Sequence, residues 1–186
     1  MVKHGKRYNN ILDKIDVSKF YSIEEGVELT KSTASAGFDE TVELHLKTSA
    51  DPKQADQLVR GVVIMPHGIG KTIRVAVFVQ GESVGVAEEA GADYVGSEEL
   101  VKKVESGWSD FDVAIATPDM MSHIGKLGKV LGRKGLMPNP RTGTVVKKDD
   151  ISRAINDSKK GRVEYKLDRT SIVHVSVGKV SFTGEQ

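Results

Sequence analysis

The chain has 186 residues, of which 38% are hydrophobic and 28% charged, so it is long enough for one large or two small folded domains and unlike a disordered chain. The absence of cysteine excludes a disulfide scaffold, thiol catalysis and cysteine-ligated zinc, and no apolar run reaches the roughly 18 residues that a membrane span needs. The formal net charge of +1 says nothing about a nucleic-acid partner, and together these features fit a cytoplasmic protein without a membrane partner.

The first part of the chain shows patterns of both helix and strand. Ser22 and Glu25 have the spacing of a capping box, which predicts a helix from about Ile23. Residues 40–47 alternate strictly between polar and apolar side chains. This alternation predicts a half-buried strand whose polar face is open to solvent or to a partner. Residues 61–64 predict a further strand.

From about residue 68 the pattern changes to strands that alternate with helices. The predicted strands are 73–79, 92–95 and 113–116, and the predicted helices are 82–90, 97 to about 105, and one after residues 149–150. The strand 113–116 consists of small apolar residues, which is typical of the inside of a parallel sheet. This order of elements predicts a doubly wound unit.

Beyond Gly161 the first pattern returns, with predicted strands at 163–167 and 171–177. Two β-rich ends therefore flank a self-contained α/β middle. We predict a fold of mixed class, α/β and α+β: a split outer α+β domain of residues 1–67 plus 160–186, and an inserted doubly wound (Rossmann-like) βαβ domain of residues 68–159. Gly68 and Gly161 lie at the two crossings and are candidate hinge residues, although glycine at a domain edge more often just turns the chain.

The basic residues are concentrated in one segment. Residues 120–148 contain seven basic and no acidic side chains, and glycines at 125, 128, 132 and 135 lie among them. The candidate phosphate contacts are Lys126, Lys129, Arg133 and Lys134. Leu127, Val130 and Leu131 also have the spacing of a buried helical stripe, so a glycine-weakened helix remains the alternative.

The motifs of enzymes are incomplete. Residues 65–72 end like a phosphate-binding loop, but the full motif needs a glycine where Met65 stands and a helix where Thr72 leads into a predicted strand. The histidines have no paired spacing for a helical metal site, and no pair of carboxylates is placed for acid–base catalysis. We predict no enzyme activity, no catalytic residue, no metal site and no cofactor. A nucleotide-binding enzyme built on the middle domain is the opposing alternative.

The polar face of the strand 40–47 is the second candidate surface. It carries Thr41, Glu43, His45 and Lys47, and Phe38 precedes it. Hydroxyl, imidazole, ammonium and aromatic groups can stack on bases and bond to ribose hydroxyls. The opposing interpretation is an ordinary solvent-facing strand with Phe38 in the core.

Several blocks of sequence, in order from Lys3 to Phe182, form a more specific pattern. They are residues 3–8 (KHGKRY), 38–43 (FDETVE), 66–71 (PHGIGK), 112–119, 132–140 (GRKGLMPNP), 143–145, 172–174 and 178–179. Together they resemble the L-one family of bacterial large-subunit ribosomal proteins, which form the mobile stalk beside the tRNA exit site.

The resemblance implies a split outer domain that binds the stalk region of large-subunit rRNA and an inserted domain that faces tRNA or moves freely. Carried onto this chain, the implied rRNA-binding residues are Lys6, Arg7, Phe38, Thr41, Glu43, His45, Lys47 and His174. Phe38 is expected to pack against RNA, and Thr41 and His45 to bond to sugar and phosphate. Lys6 and Arg7 are expected to be flanking phosphate contacts.

The resemblance further implies a structural constituent of the large ribosomal subunit, monomeric within the cytoplasmic ribosome. Its partners are expected to be rRNA, exit-site tRNA, whose release it assists, and its own messenger RNA, whose translation it represses. A general single-stranded RNA-binding protein is the second alternative. Gly37 stands where many relatives have a basic residue. Relatives also continue beyond the position of Gln186 with a helix and a closing strand, so we expect the outer domain to lack its C-terminal end.

Overall fold

The computed structural model describes residues 4–186, so Met1, Val2 and Lys3 of the predicted basic start lie outside the described residues. Its helices are α1 (Lys6–Leu12), α2 (Ile23–Thr33), α3 (Ser83–Glu89), α4 (Glu98–Glu105), α5 (Met121–Ile124), α6 (Gly128–Lys134) and α7 (Ile151–Lys159). Its strands are β1 (Thr41–Lys47), β2 (Arg60–Ile64), β3 (Val75–Phe78), β4 (Tyr94–Gly96), β5 (Val113–Ala116), β6 (Arg162–Lys166) and β7 (Ile172–Lys179). The fold is mixed α/β, as predicted.

A parallel sheet with the strand order β4-β3-β5 occupies the middle of the chain. Every residue of β3 is apolar and fully buried, and alternate residues point to opposite faces of the sheet. Phe78 belongs to a cluster that includes Leu131 of α6, whereas Val77 belongs to a second cluster that includes Ile155 of α7. Helices therefore cover both faces, which is why the strands consist almost entirely of apolar residues.

The two ends of the chain meet in two antiparallel strand pairs. β1 pairs with β7, and β2 pairs with β6. A small cluster made of Leu167, Val173 and Val175 is buried beneath them. The first 64 residues and the last 25 therefore contribute to the same pair of sheets.

The structure differs from the prediction on the apolar face of β1. The alternation predicts burial of this face, but Leu44 and Leu46 are 45% and 48% exposed. Their partners across the strand pair, Val175 and Val173, are buried instead. The side chains that enclose the small cluster come from β6 and β7 and from Ala50 and Met65, so they cover the β7 side of the pair and leave the β1 side open.

Sequence reasoning predicted the start of α2 and missed α1. The Ser22 hydroxyl accepts from the Glu25 backbone N–H at 3.2 Å, and the Glu25 carboxylate accepts from the Ser22 N–H at 3.3 Å, so the capping box is confirmed. α1 begins after Gly5, which has no side chain to cap it. Ser97 precedes α4 but makes no side-chain capping bond.

Replacing Ser22 by alanine is expected to destabilise α2 by about 1 kcal/mol, because the substitution removes the hydroxyl that satisfies the Glu25 N–H. Since α2 buries none of its residues, the loss should be local. Amide hydrogen exchange measures it as roughly fivefold lower protection within α2. Ser97→Ala is the matched control, since that serine makes no capping bond, and equal losses from both would contradict the prediction.

The two crossings between the chain ends and the middle touch each other. Gly68 and Gly161 both have positive φ, +71° and +92°, and the Met65 N–H donates to the Gly161 carbonyl at 3.1 Å. An ideal Cβ on Gly161 would lie 2.4 Å from the Gly68 Cα. Glycine at position 161 is therefore required both by the backbone conformation and by the closeness of the second crossing.

Candidate nucleic-acid interface

The antiparallel register of β1 and β7 builds a polar row from both ends of the chain. His45 lies opposite His174, and Glu43 lies opposite Ser176. Directly opposite residues of an antiparallel pair project from the same face. The polar face of β1 therefore continues onto β7, where His174 lies. The residues of this face on β1 are Thr41, Glu43, His45 and Lys47.

A β-bulge adds Lys179 to this row. The register shifts between Val42 and Glu43, so Thr41 pairs with Lys179 although strict alternation would place Lys179 on the opposite face from Ser176. The Lys179 Nζ donates to the Thr41 hydroxyl at 2.9 Å and to the Asp39 carbonyl at 3.3 Å. The row thus has an ammonium group at the end nearest Phe38.

The centre of the row is a pair of imidazoles. The Nδ1 atoms of His45 and His174 are 2.5 Å apart, and both side chains are about half exposed. The His174 Nε2 lies 3.4 Å from Asp168 Oδ2, and the His45 Nε2 lies 3.8 Å from Glu43 Oε2. Each ring therefore has one nitrogen beside a carboxylate and one beside the other ring.

Asp168 is held as a carboxylate by the turn that precedes β7. The Thr170 hydroxyl donates to Oδ2 at 2.6 Å, and the Ile172 backbone N–H donates to Oδ1 at 2.8 Å. These hydrogen bonds keep the pKa of Asp168 well below its ordinary range. The carboxylate beside His174 is consequently ionised throughout the neutral range.

Phe38 is 75% exposed, which contradicts the alternative that placed it in the core. The loop around it is fixed on both sides. The Glu40 carboxylate accepts from the backbone N–H of Ala36 at 2.6 Å, and the Asp39 carboxylate accepts from the Ser181 N–H at 3.0 Å and its hydroxyl at 2.8 Å. An apolar ring held in solvent by an ordered loop is available for stacking.

α1 brings the first basic residues to the same loop. The Arg7 Nε donates to the Ser35 hydroxyl at 2.6 Å, and its Nη2 lies 3.8 Å from Glu40 Oε1. Lys6 precedes it and is exposed. Arg7 therefore lies beside the loop that presents Phe38.

The basic segment has a buried side and an exposed side, and the buried side is the predicted helical stripe. Leu127 and Leu131 are fully buried against the parallel sheet. The four basic candidates Lys126, Lys129, Arg133 and Lys134 are all exposed. The α-helix is interrupted among these glycines, because a short 3₁₀ turn at Gly125–Leu127 separates α5 from α6.

The glycine that follows α6 lies near His174 of the polar row. Gly135 follows α6, and it lines a cavity of about 320 Å³ together with residues of β2, β6, β7 and the turn before β7. The other lining residues are Arg60, Glu164, Lys166, Asp168 and His174. The four basic candidates are not among the lining residues: Lys126 lies in the 3₁₀ turn Gly125–Leu127, and Lys129, Arg133 and Lys134 lie in α6.

Sequence reasoning missed several residues of this surface. Ser176 could have been found from the alternation of the strand 171–177, which gives it the same parity as His174. Lys179 could not have been found in this way, because the bulge changes which face of β7 its side chain is on. Asp168 had only a turn signal, and its position beside His174 depends on the folded turn.

The lysine of the incomplete phosphate-binding loop, residues 65–72, forms an ion pair within the protein. The Lys71 Nζ donates to Asp112 Oδ1 at 2.6 Å, and the loop leads towards β3, not into a helix. Within residues 4–186, no group of three or more histidine, aspartate or glutamate residues could hold a metal ion. In the same part of the chain, no helix is both long and apolar enough to cross a membrane.

Comparison with known proteins gives one consistent result. The family described as "Ribosomal protein L1p/L10e family" matches residues 29–186. The chain is 57% identical over 185 residues to the large ribosomal subunit protein uL1 of Dehalococcoides mccartyi strain CBDB1, and 54% identical over 187 residues to that of Thermomicrobium roseum. Each alignment covers 100% of this chain and 78% of the relative.

Proposed function

Because this chain belongs to the ribosomal protein L1p/L10e family, we propose that it is a constituent of the large ribosomal subunit and binds rRNA through the β1–β7 row and the Phe38 loop. The observation that carries this proposal is Phe38, held 75% exposed by hydrogen bonds to Glu40 and Asp39 at the end of a polar strand face. A rigid exposed ring beside hydroxyl, imidazole and basic groups suits splayed bases, ribose and phosphate.

The proposal gives each part of the row a role. Phe38 stacks on a base, and Thr41, His45 and His174 bond to ribose and phosphate oxygens. Arg7 and Lys6 on one side, and Lys47 on the other, contact phosphates that flank the stacked base. Glu43 accepts from a ribose hydroxyl or a base amino group, and Lys179 extends the phosphate contacts beside Thr41.

The chain is divided into two domains joined by a hinge. Residues 68–159 form an inserted doubly wound domain, and residues 1–67 with 160–186 form the outer rRNA-binding domain. Gly68 and Gly161 act as the hinge between them, which their positive φ angles and mutual contact support. The exposed Lys126, Lys129, Arg133 and Lys134 contact the phosphates of exit-site tRNA and assist its release.

The outer domain also represses translation of the protein's own messenger by binding an RNA fold similar to the stalk. In this proposal the protein acts as a monomer within the cytoplasmic ribosome, and its function is not enzymatic. The ion pair of Lys71 with Asp112 supports this last point, because it engages the one lysine that a phosphate-binding loop would need.

A titration of the chain on a fragment of stalk rRNA tests the proposed function. We expect this fragment to bind more tightly than a scrambled RNA of equal length, with an affinity that falls as salt rises because phosphate contacts release counterions. tRNA is assigned to a different domain and should not displace the fragment. Equal displacement by stalk fragment, tRNA and scrambled RNA would contradict stalk recognition and favour a general RNA-binding protein.

A further inference from the structure

The fold pairs two histidines that are far apart in the sequence. His45 and His174 are separated by 129 positions, and only the register of β1 with β7 places them opposite each other. Their ring centroids are 4.8 Å apart, with an angle of 74° between the ring planes, and their Nδ1 atoms converge to 2.5 Å. Such a pair has no signature in local sequence spacing, because its two members are brought together only by the fold.

A carboxylate lies on the Nε2 side of each ring. Asp168 lies beside the Nε2 of His174, and Glu43 lies beside the Nε2 of His45. A carboxylate beside one ring nitrogen favours hydrogen on that nitrogen and leaves the lone pair on the other. Both rings thus favour the tautomer that directs an Nδ1 lone pair towards the same point.

Two lone pairs that face each other at this distance repel unless a cation lies between them. A single shared proton removes the repulsion by forming one N–H···N hydrogen bond. A divalent metal ion removes it by accepting both lone pairs. An imidazole with its second nitrogen hydrogen-bonded to a carboxylate is the usual state of a metal-bound histidine, and His174 has that arrangement through Asp168 at 3.4 Å. The Nε2 of His45 lies 3.8 Å from the Glu43 carboxylate, a distance of electrostatic contact and not of a hydrogen bond.

We propose that the Nδ1 atoms of His45 and His174 chelate one late first-row divalent cation, with Zn²⁺ as the reference ion and water in its remaining positions. Imidazole is a favoured ligand of Zn²⁺, Cu²⁺ and Ni²⁺. Both side chains are about half exposed, so water can reach the open side of the ion. This site goes beyond the proposed rRNA binding and does not depend on it.

The geometry requires only a small adjustment. Two Zn–N bonds of about 2.0–2.1 Å at a tetrahedral angle place the nitrogens about 3.3 Å apart, so the rings must separate by about 0.8 Å. Half-exposed side chains on one sheet face can make this movement without displacing the strands. Since no third histidine or carboxylate completes a cluster in the described part of the chain, the ion keeps open positions towards solvent.

Isothermal titration of the full chain, free of any affinity tag, with ZnCl₂ tests the proposal. We expect saturable binding of one Zn²⁺ per chain, and at least about tenfold weaker binding in both His45→Gln and His174→Gln, because each loses one of two protein ligands. His123→Gln is the matched control: His123 is also partly exposed, with Nδ1 4.0 Å from Glu98 Oε1, and its loss should leave binding unchanged. Absent saturable binding, or equal weakening in the control, would overturn the proposal.

A second measurement on the unsubstituted chain does not depend on any variant folding. Long-range ¹H–¹⁵N spectra of the imidazoles with and without Zn²⁺ report which nitrogen binds the ion. We expect the Nδ1 resonances of His45 and His174 to shift together while both Nε2 atoms keep their hydrogens. Coordination through Nε2, or a shift of only one of the two rings, would overturn the proposed chelate.

Discussion

Gly161→Ala is expected to lower the free energy of unfolding by roughly 2–6 kcal/mol, the largest stability effect of the substitutions considered. The φ of Gly161 is +92°, and an L-residue held there costs about 1–3 kcal/mol. The new Cβ would also lie 2.4 Å from the Gly68 Cα and 3.0 Å from its carbonyl carbon. Because both neighbours are backbone atoms, the crossings must separate, which adds about 1–3 kcal/mol. Urea denaturation followed by circular dichroism measures the change.

Gly107→Ala separates the backbone cost of Gly161→Ala from the cost of its close contact with Gly68. Gly107 has a similar φ of +103°, but no atom lies within 4 Å of its ideal Cβ. We expect Gly107→Ala to show only the backbone cost, about 1–3 kcal/mol. If Gly161→Ala destabilised the protein no more than Gly107→Ala does, the close contact between the two crossings would be contradicted.

The middle of the fold could be predicted from sequence because its signals are local. The run of apolar residues in β3 and β5 and the helices between them follow from burial on both faces of a parallel sheet. The start of α2 was predictable for the same reason, since a capping box lies within four consecutive residues. α1 has no such signal, because it begins after a glycine that offers no capping side chain.

The candidate surface could be predicted only in part, because it depends on contacts between distant strands. The polar face of β1 and the identity of His174 were available from sequence, but the distance between the two imidazoles follows from the register of β1 with β7. Lys179 joins the row only through a bulge. The exposure of Leu44 was not predictable from alternation, which shows that a strand has an apolar face but not whether anything covers it.

The exposure of Phe38 is the feature of the site that sequence reasoning could least decide. Phenylalanine is usually buried, and an aromatic residue beside a strand fits a core as well as a surface. The structure decides the question through two acidic neighbours: Glu40 accepts from the Ala36 N–H within the same loop, and Asp39 accepts from the Ser181 N–H of the C-terminal segment. These bonds fix the loop with the ring outside, so the pattern Phe-Asp-Glu has a local physical explanation.

Phe38→Ala is expected to weaken binding to the stalk rRNA fragment by about 1–3 kcal/mol, or roughly 5- to 150-fold, because a stacked base loses its aromatic platform. The substitution should leave the free energy of unfolding nearly unchanged, since the ring is 75% exposed and buries little surface. Fluorescence titration at fixed salt measures the affinity, and Phe38→Trp should restore most of it because indole also stacks.

Phe20→Ala is the control that distinguishes stacking from general loss of apolar surface. Phe20 is 98% exposed and lies between α1 and α2, outside the β1–β7 row. If exposed aromatic surface alone attracted RNA, Phe20→Ala would weaken binding as much as Phe38→Ala. We expect the Phe20 variant to bind like the unsubstituted chain, because affinity depends on a ring that an ordered loop holds beside Thr41 and Lys179. Equal losses, or an unchanged affinity in a folded Phe38→Ala protein, would contradict the assignment of this loop to RNA.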